Sequence, residues 1–246
     1  MNKILIVVRR DISETLRTKT IYFFMILACV LSLPYFGSFS SVIDELLEQG
    51  MPTGELQLAI QQLLNIVLET LPWVLSMITC SVFSAHSIAM DKAKRTLESL
   101  LATPLSLRQI WLGKSLAVTL PGVAIGLLIS LLTMLAMNLA VVVPTVGSFI
   151  MPNALSIMTG LVIIPLLTFL VVSLVSFLQL IMADPRIANF VFIGAFLIVY
   201  ISTITELFPS QKLVFGYVIA IGILAALTAF LARFLTRERV ILSSKG

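Results

Sequence analysis

Long apolar runs separated by short polar segments dominate this chain. Six of them have about the 20 predominantly apolar residues that a helix needs to cross a bilayer, and they lie at roughly 21–39, 66–87, 116–142, 156–181, 188–206 and 213–234. Backbone groups in lipid must be hydrogen-bonded within their own segment, so runs of this length predict helices. The runs are apolar on every side, whereas the strands of a membrane barrel alternate apolar and polar residues. The pattern predicts one all-α membrane domain over residues 1–246, with six transmembrane helices.

The composition excludes a soluble globular protein. Hydrophobic residues make up 59% of the chain and charged residues 11%, whereas soluble domains carry about 25% charged residues. A soluble protein of this composition would expose large apolar patches. Cys29 and Cys80 both fall inside apolar runs, so we expect no disulfide framework.

The basic residues orient the predicted bundle. With six spans, the N-terminus, 88–115, 182–187 and the C-terminus share one side, and that side holds fifteen of the sixteen Lys and Arg residues. Only Lys212 lies on the other side. Short loops rich in Lys and Arg stay in the cytoplasm, so both termini are predicted to be cytoplasmic. The net charge of +4 reflects this asymmetry and gives no reason to expect nucleic acid as a partner.

Two segments outside the spans carry patterns of their own. Residues 1–19 place Leu5, Val8, Ile12 and Leu16 on one helical face and charged residues on much of the rest, which predicts an amphipathic helix in the cytoplasmic interface, facing membrane lipids. A soluble N-terminal extension is the alternative. Segment 40–65 contains acidic residues but no Lys or Arg, and it predicts short external helices broken at residues 49–54.

Two stripes of small residues at spacing four predict close packing between helices. The second span has Ser76, Cys80 and Ser84, and the third has Gly122, Gly126 and Ser130.

Residues 91–114, which we call the elbow, form the longest charged segment away from the termini. Leu97, Leu100 and Leu101 make a one-sided apolar stripe on a short predicted helix. Pro104 disfavours helix at the residue before it, and Ser106 is a suitable N-cap for a second helix that runs into the third span. The result is a helix–break–helix elbow on the cytoplasmic face. Its leucine stripe requires a partner groove or the membrane surface.

The elbow resembles the coupling region of ABC-2-type permeases, the membrane subunits of ATP-driven exporters. The matching residues include Leu112, Gly113 and Lys114, and the expected ATPase-coupling residues are Arg95, Thr96, Leu97, Glu98, Leu100, Leu101, Thr103, Pro104, Leu105 and Ser106. The family often has Gly where this chain has Arg95. The predicted six-span layout and N-terminal interfacial helix also fit the family.

The resemblance implies that this chain is the permease subunit of an ABC exporter in the plasma (inner) membrane of a prokaryote. The elbow would sit in a groove of a separate ATPase subunit, and a second permease copy or a paralogue would complete the transporter. ATP and Mg would bind the ATPase, with no cofactor on this chain. Gly113–Ser115 resembles the end of a phosphate-binding loop, but Arg108 stands where its first Gly belongs. We therefore expect no enzyme activity in the chain itself.

The remaining polar residues suggest no catalytic or metal site. Glu69 and Glu206, near the predicted outer ends of spans two and five, either snorkel to external headgroups or line an external gate. His86 is the only histidine and has no partner at metal-ligand spacing. Two other function classes stay open: a membrane scaffold that recruits a soluble partner through the elbow, and an intramembrane enzyme or secondary carrier.

Overall fold

A computed structural model describes residues 3–17, 19–93, 105–182, 184–194, 197 and 210–233, and this part of the chain contains helices and no strands. Residues 190–194 are also helical. The named helices are α1 (Lys3–Leu16), α2 (Lys19–Glu48), α3 (Thr53–Ala93), α4 (Leu107–Val146), α5 (Ala154–Ile181), α6 (Pro185–Ala188) and α7 (Ser210–Leu231). The predicted all-α fold is confirmed for the described residues.

Four of these helices contain stretches long and apolar enough to cross a membrane. They overlap the first four predicted runs, and the stretches are Met25–Glu48, Thr53–Ala85, Leu107–Val146 and Ala154–Ile181. Most of the fifth predicted run, 188–206, lies outside the described residues. The sixth corresponds to α7 (Ser210–Leu231), which includes the apolar stretch Phe215–Leu231. The chain is therefore a helical membrane protein with at least these four candidate spans.

The segment at 40–65 does not form the separate surface helices expected from the sequence. Instead α2 continues to Glu48 and α3 already begins at Thr53, with only a short turn between them. Gly50 in this turn has a φ of 66°, a left-handed conformation that favours glycine. The predicted break at residues 49–54 is thus confirmed, but the helices on both sides are continuous with the spans. Apolar residues recur at every fourth position and are buried, which stabilises the extensions; they are Phe39, Ile43, Leu56, Ile60 and Leu64.

The two small-residue stripes, predicted as helix-packing faces without assigned partners, contact each other and bring α3 and α4 together as antiparallel neighbours. The Thr79 hydroxyl donates to the carbonyl of Gly122 at 3.0 Å. A Cβ atom on Gly126 would lie 2.4 Å from the Ser76 Oγ and 2.8 Å from the Ser76 backbone nitrogen. No side chain fits in that space, so the close approach of the two backbones depends on glycine at position 126.

Each of α4 and α5 contains one π-helical turn, at Asn138–Val142 and Thr159–Ile163. A proline follows each turn by two residues, Pro144 in α4 and Pro165 in α5. Proline has no N–H and its ring crowds the carbonyl four residues earlier, and a wider turn at that point relieves the crowding. Within the second turn, a Cβ on Gly160 would lie 2.8 Å from the Leu68 carbonyl oxygen, so α5 approaches α3 closely there.

Helix α1 packs on α4 and α3 at the end of the bundle where α3 finishes and α4 begins. We call this the α1 end, and the opposite end, with the turn at 49–52 and the loop at 147–153, the far end. Val7, Val8 and Asp11 are buried, whereas Leu5 is 58% exposed. The packed face of α1 is therefore rotated relative to the predicted apolar face, because it includes a paired carboxylate.

Candidate functional site

The central part of the elbow, residues 94–104, lies outside the described residues. This holds for Arg95, Thr96, Leu97, Glu98, Leu100, Leu101, Thr103 and Pro104, and therefore for the predicted leucine stripe and the predicted break. Leu105 and Ser106 are described and non-helical. Both arms that carry the elbow are described as well: α3 ends at Ala93 and α4 begins at Leu107.

Ser106 caps α4 as predicted from the sequence. Its hydroxyl accepts a hydrogen bond from the Gln109 backbone nitrogen at 3.3 Å, and the Gln109 side chain accepts one from the Ser106 backbone nitrogen at 3.0 Å. This reciprocal pair satisfies two backbone donors that the first turn of a helix leaves free. The second arm of the elbow thus has a defined starting point, and α4 continues from it without interruption into the third predicted span.

A buried ion triad lies at the base of the elbow, at the α1 end. The Lys114 side chain is 0% exposed. Its Nζ donates to the Asp11 Oδ2 on α1 at 3.0 Å and to the Asp91 Oδ2 near the end of α3. The Asp11 side chain is 6% exposed and that of Asp91 is 13% exposed. The ammonium group of Lys114 therefore pairs with carboxylates from two other helices at a largely buried position.

The triad closes the base of the elbow. Asp91 and Lys114 are the first and last residues of the elbow, so their ion pair joins its two arms, and Asp11 attaches α1 to the same point. A buried charge without its partner is costly, by several kcal/mol as a rough figure. For this reason the three helices are held in one arrangement: separating any of them would expose or isolate a charge.

A second contact fixes the beginning of α4 to α5. The Trp111 Nε1 donates to the Ser173 carbonyl at 2.8 Å, and the Trp111 ring meets the Phe177 ring edge-on at a centroid distance of 6.2 Å. Trp111 lies one turn before Lys114 on α4. The arm of the elbow that enters the bundle is thus attached to α1, α3 and α5 within little more than one helical turn.

Glu69, one of the two predicted gate residues, lies inside the bundle and not at its surface. Glu69 is 2% exposed, and its Oε1 accepts a hydrogen bond from the Ser156 hydroxyl at 2.5 Å. Snorkelling to headgroups is therefore wrong for Glu69. It also lies midway along Thr53–Ala85, because α3 begins well before the predicted span. The other gate residue, Glu206, lies outside the described residues.

Sequence reasoning missed the ion triad, although one signal was present. From the sequence, Lys114 belongs only to the family motif, and no role is predicted for Asp11 or Asp91. A lysine close to the start of a long apolar run is costly in lipid and needs a partner. The sequence has three aspartates on the same predicted membrane side, Asp11, Asp91 and Asp184, and it does not show which of them faces Lys114.

The described helices define the class of this molecule as a polytopic α-helical membrane protein. No model of a known protein family matches the chain, and no curated protein matches it either.

Proposed function

We propose that this chain is an ABC-2-type permease, the transmembrane subunit of an ABC exporter in a prokaryotic plasma membrane. In this proposal a separate ATPase subunit binds ATP and Mg, and it docks on the elbow of this chain. A second copy of the permease, or a paralogue, forms the other half of the transporter. The chain itself contributes no catalytic residue.

The proposal assigns the α1 end of the bundle to the cytoplasm. The basic residues support this orientation, because fifteen of the sixteen Lys and Arg residues fall on that side of the six-span layout. Among the described ones, Arg9, Arg10 and Arg17 on or beside α1 are exposed, as is Arg108 at the start of α4. Exposed basic side chains at this end suit contact with anionic headgroups.

The observation that carries the proposal is the buried Lys114 between Asp91 and Asp11. An ATPase can move a permease only through a segment that is rigidly attached to the transmembrane helices, because a flexible loop would move without displacing them. The ion pair of Lys114 with Asp91 gives the elbow such an attachment, and Asp11 extends the rigid unit to α1. Motion at the elbow would then be delivered to α1, α3 and α4 together.

In this mechanism Leu97, Leu100 and Leu101 fill an apolar groove of the ATPase, and Glu98 beside them transmits the motion. When two ATPase subunits close on ATP, the two elbows move relative to each other and rock the two bundles. A scaffold needs only an exposed binding surface, so the stiff base favours the coupling role over the scaffold.

The proposal is tested by purifying the tagged chain from its own host in mild detergent and identifying the proteins that accompany it. We expect a soluble protein with a phosphate-binding loop, at about one copy per permease as the family layout implies. The double variant Leu97→Asp/Leu101→Asp should lose that protein. Lys19→Asp, at an exposed position on α2, is the matched control and should retain it. If the wild-type chain brings down no nucleotide-binding protein, the proposal is wrong.

A second variant separates coupling from recruitment. Glu98→Lys should keep the ATPase bound but uncouple its hydrolysis of ATP from the motion of the permease. The readout is the difference in ATP hydrolysis by the complex before and after the permease is locked by a cross-link between its helices. The cross-link should lower ATP hydrolysis by the wild-type complex and should leave ATP hydrolysis by the Glu98→Lys complex unchanged. If the cross-link lowers ATP hydrolysis equally in both complexes, Glu98 has no coupling role. If the wild-type complex contains the ATPase but its ATP hydrolysis is unchanged by the cross-link, the scaffold function is favoured.

A further inference from the structure

A ladder of polar side chains runs along one face of α3, and neither the elbow nor the ion triad involves it. Gln61, Asn65, Glu69 and Trp73 follow each other at intervals of four residues, so they lie on the same side of the helix. This face is directed at the beginning of α5 and the loop before it. Polar side chains at membrane depth are costly and mark functional positions.

Each of the first three members of the ladder binds a successive residue of the facing segment. The Gln61 Nε2 donates to the Met151 carbonyl at 3.0 Å, and the Asn65 Oδ1 accepts from the Asn153 backbone nitrogen at 2.9 Å. Glu69 accepts from Ser156, three residues further along. Met151 lies in the loop, Asn153 is the N-cap of α5 and Ser156 is in its first turn, so the three contacts form a polar strip that leads inward from the far end.

The outer end of this strip opens into a groove of about 610 Å³ at the far end of the bundle. Gln61 lines the groove together with Gln57 and the loop residues 148–151. The distance along α3 from Gln61 to Glu69 is about 12 Å at 1.5 Å per residue. A short polar strip therefore connects a surface groove with a buried carboxyl group.

The surroundings of Glu69 contain hydrogen-bonding groups but no cation within the described part of the chain. Helix α5 contributes the Ser156 hydroxyl, and α7 contributes Tyr217, the one titratable described side chain with which Glu69 interacts. Tyr217 is 4% exposed, and its ring lies 6.3 Å from that of Trp73. Among the described residues, the Tyr217 hydroxyl and the Trp73 Nε1 are buried with no hydrogen-bond partner. This is a polar site with donors and acceptors still available.

We propose that Glu69 is a proton-binding site reached from the far end of the bundle along the Gln61–Asn65 strip. A buried carboxylate without a nearby cation is costly, and taking up a proton removes the charge. Ser156 donates to the carboxyl from the first turn of α5, where the helix dipole lowers the cost of a negative charge. Both protonation states are thereby accessible.

Modification by dicyclohexylcarbodiimide tests the site in the purified full-length chain. This apolar reagent reacts with a protonated carboxyl in apolar surroundings: the acid O–H adds across a C=N bond, and no atom leaves. We expect Glu69 to gain one reagent mass, about tenfold or more above Glu55, an exposed carboxyl on the same helix, because burial favours the neutral acid. The yield at Glu69 should fall as the pH is raised, and Glu69→Gln should abolish the modification at that position.

Ser156→Ala supplies a readout that a merely structural role would not move. The Ser156 hydroxyl favours the ionised carboxyl, so its removal should shift the pH profile of the modification to higher pH. The proposal is overturned if wild-type Glu69 is unmodified across the pH range in which Glu55 reacts, or if its yield is independent of pH. Protection by Na⁺ at constant pH would also overturn it, since a metal cation would then occupy the site. None of these outcomes involves an ATPase, so they are independent of the proposed function.

Discussion

Replacement of Lys114 by Met tests whether the buried ion triad holds the α1 end together. Methionine has a similar length and no charge, so the change deprives the carboxylates of Asp11 and Asp91 of their shared cation. Removing one partner of a buried ion pair costs about 3–5 kcal/mol. The Asp91 side chain is 13% exposed, and water that reaches it will reduce the cost. We therefore expect the free energy of unfolding to fall by about 3 kcal/mol, at the lower end of that range.

The loss is measured by equilibrium unfolding with sodium dodecyl sulfate in mixed micelles. The chain has two tryptophans, and Trp73→Phe leaves Trp111, one turn from Lys114, as the fluorescent reporter of the α1 end. Lys19→Met is the matched control, because Lys19 is exposed, and it should change stability by no more than about 0.5 kcal/mol. Adding Asp11→Asn to Lys114→Met should recover part of the loss, since one buried charge then disappears.

The reasoning is refuted if Lys114→Met unfolds within the range of the Lys19→Met control. The ion pairs would then contribute no net stability, and the elbow would lack the stiff base on which the coupling role depends.

Two further predictions concern helix packing and capping. Gly126→Ala should lower the free energy of unfolding in detergent by about 1–3 kcal/mol through overpacking, because its Cβ would lie 2.4 Å from the Ser76 Oγ. Gly222→Ala in α7, where nothing lies within 4 Å of the new Cβ, should raise the free energy of unfolding by up to about 1 kcal/mol. If both substitutions changed the free energy of unfolding in the same direction, the close contact at Gly126 would be contradicted. Ser106→Ala should cost about 0.5–2 kcal/mol and speed hydrogen exchange of the Gln109 amide, whereas unchanged exchange would rule out the cap.

Periodicity and turn chemistry predicted the local features of this fold well. The first four apolar runs are helices, Ser106 caps α4, and Gly126 lies in a close contact between helices. These features depend on short-range backbone preferences and on residue size at helical spacing. They can therefore be read without knowing the tertiary arrangement.

The length of the helices and the two buried polar sites were harder to predict. Acidic residues suggested surface structure for 40–65, but an apolar residue at every fourth position keeps α2 and α3 helical and packed beyond the predicted spans. The partners of Lys114 depend on how α1 crosses α4, and the depth of Glu69 depends on where α3 begins. Both are properties of the assembled bundle. The four-residue spacing of Gln61, Asn65 and Glu69 is present in the sequence, but their hydrogen-bond partners at the start of α5 and in the loop before it are known only from the structure.

The central claim is that the elbow binds a nucleotide-binding subunit, and site-specific photo-cross-linking in the native host tests it most directly. A photoreactive amino acid replaces Leu101 in the elbow, and in a control it replaces Leu58, which is 62% exposed at the far end. After illumination, the protein joined to the chain is identified by mass spectrometry. The account predicts a protein with a phosphate-binding loop cross-linked from position 101 and absent from position 58. Cross-links from position 101 to lipid alone, or to a protein without a nucleotide site, would contradict it.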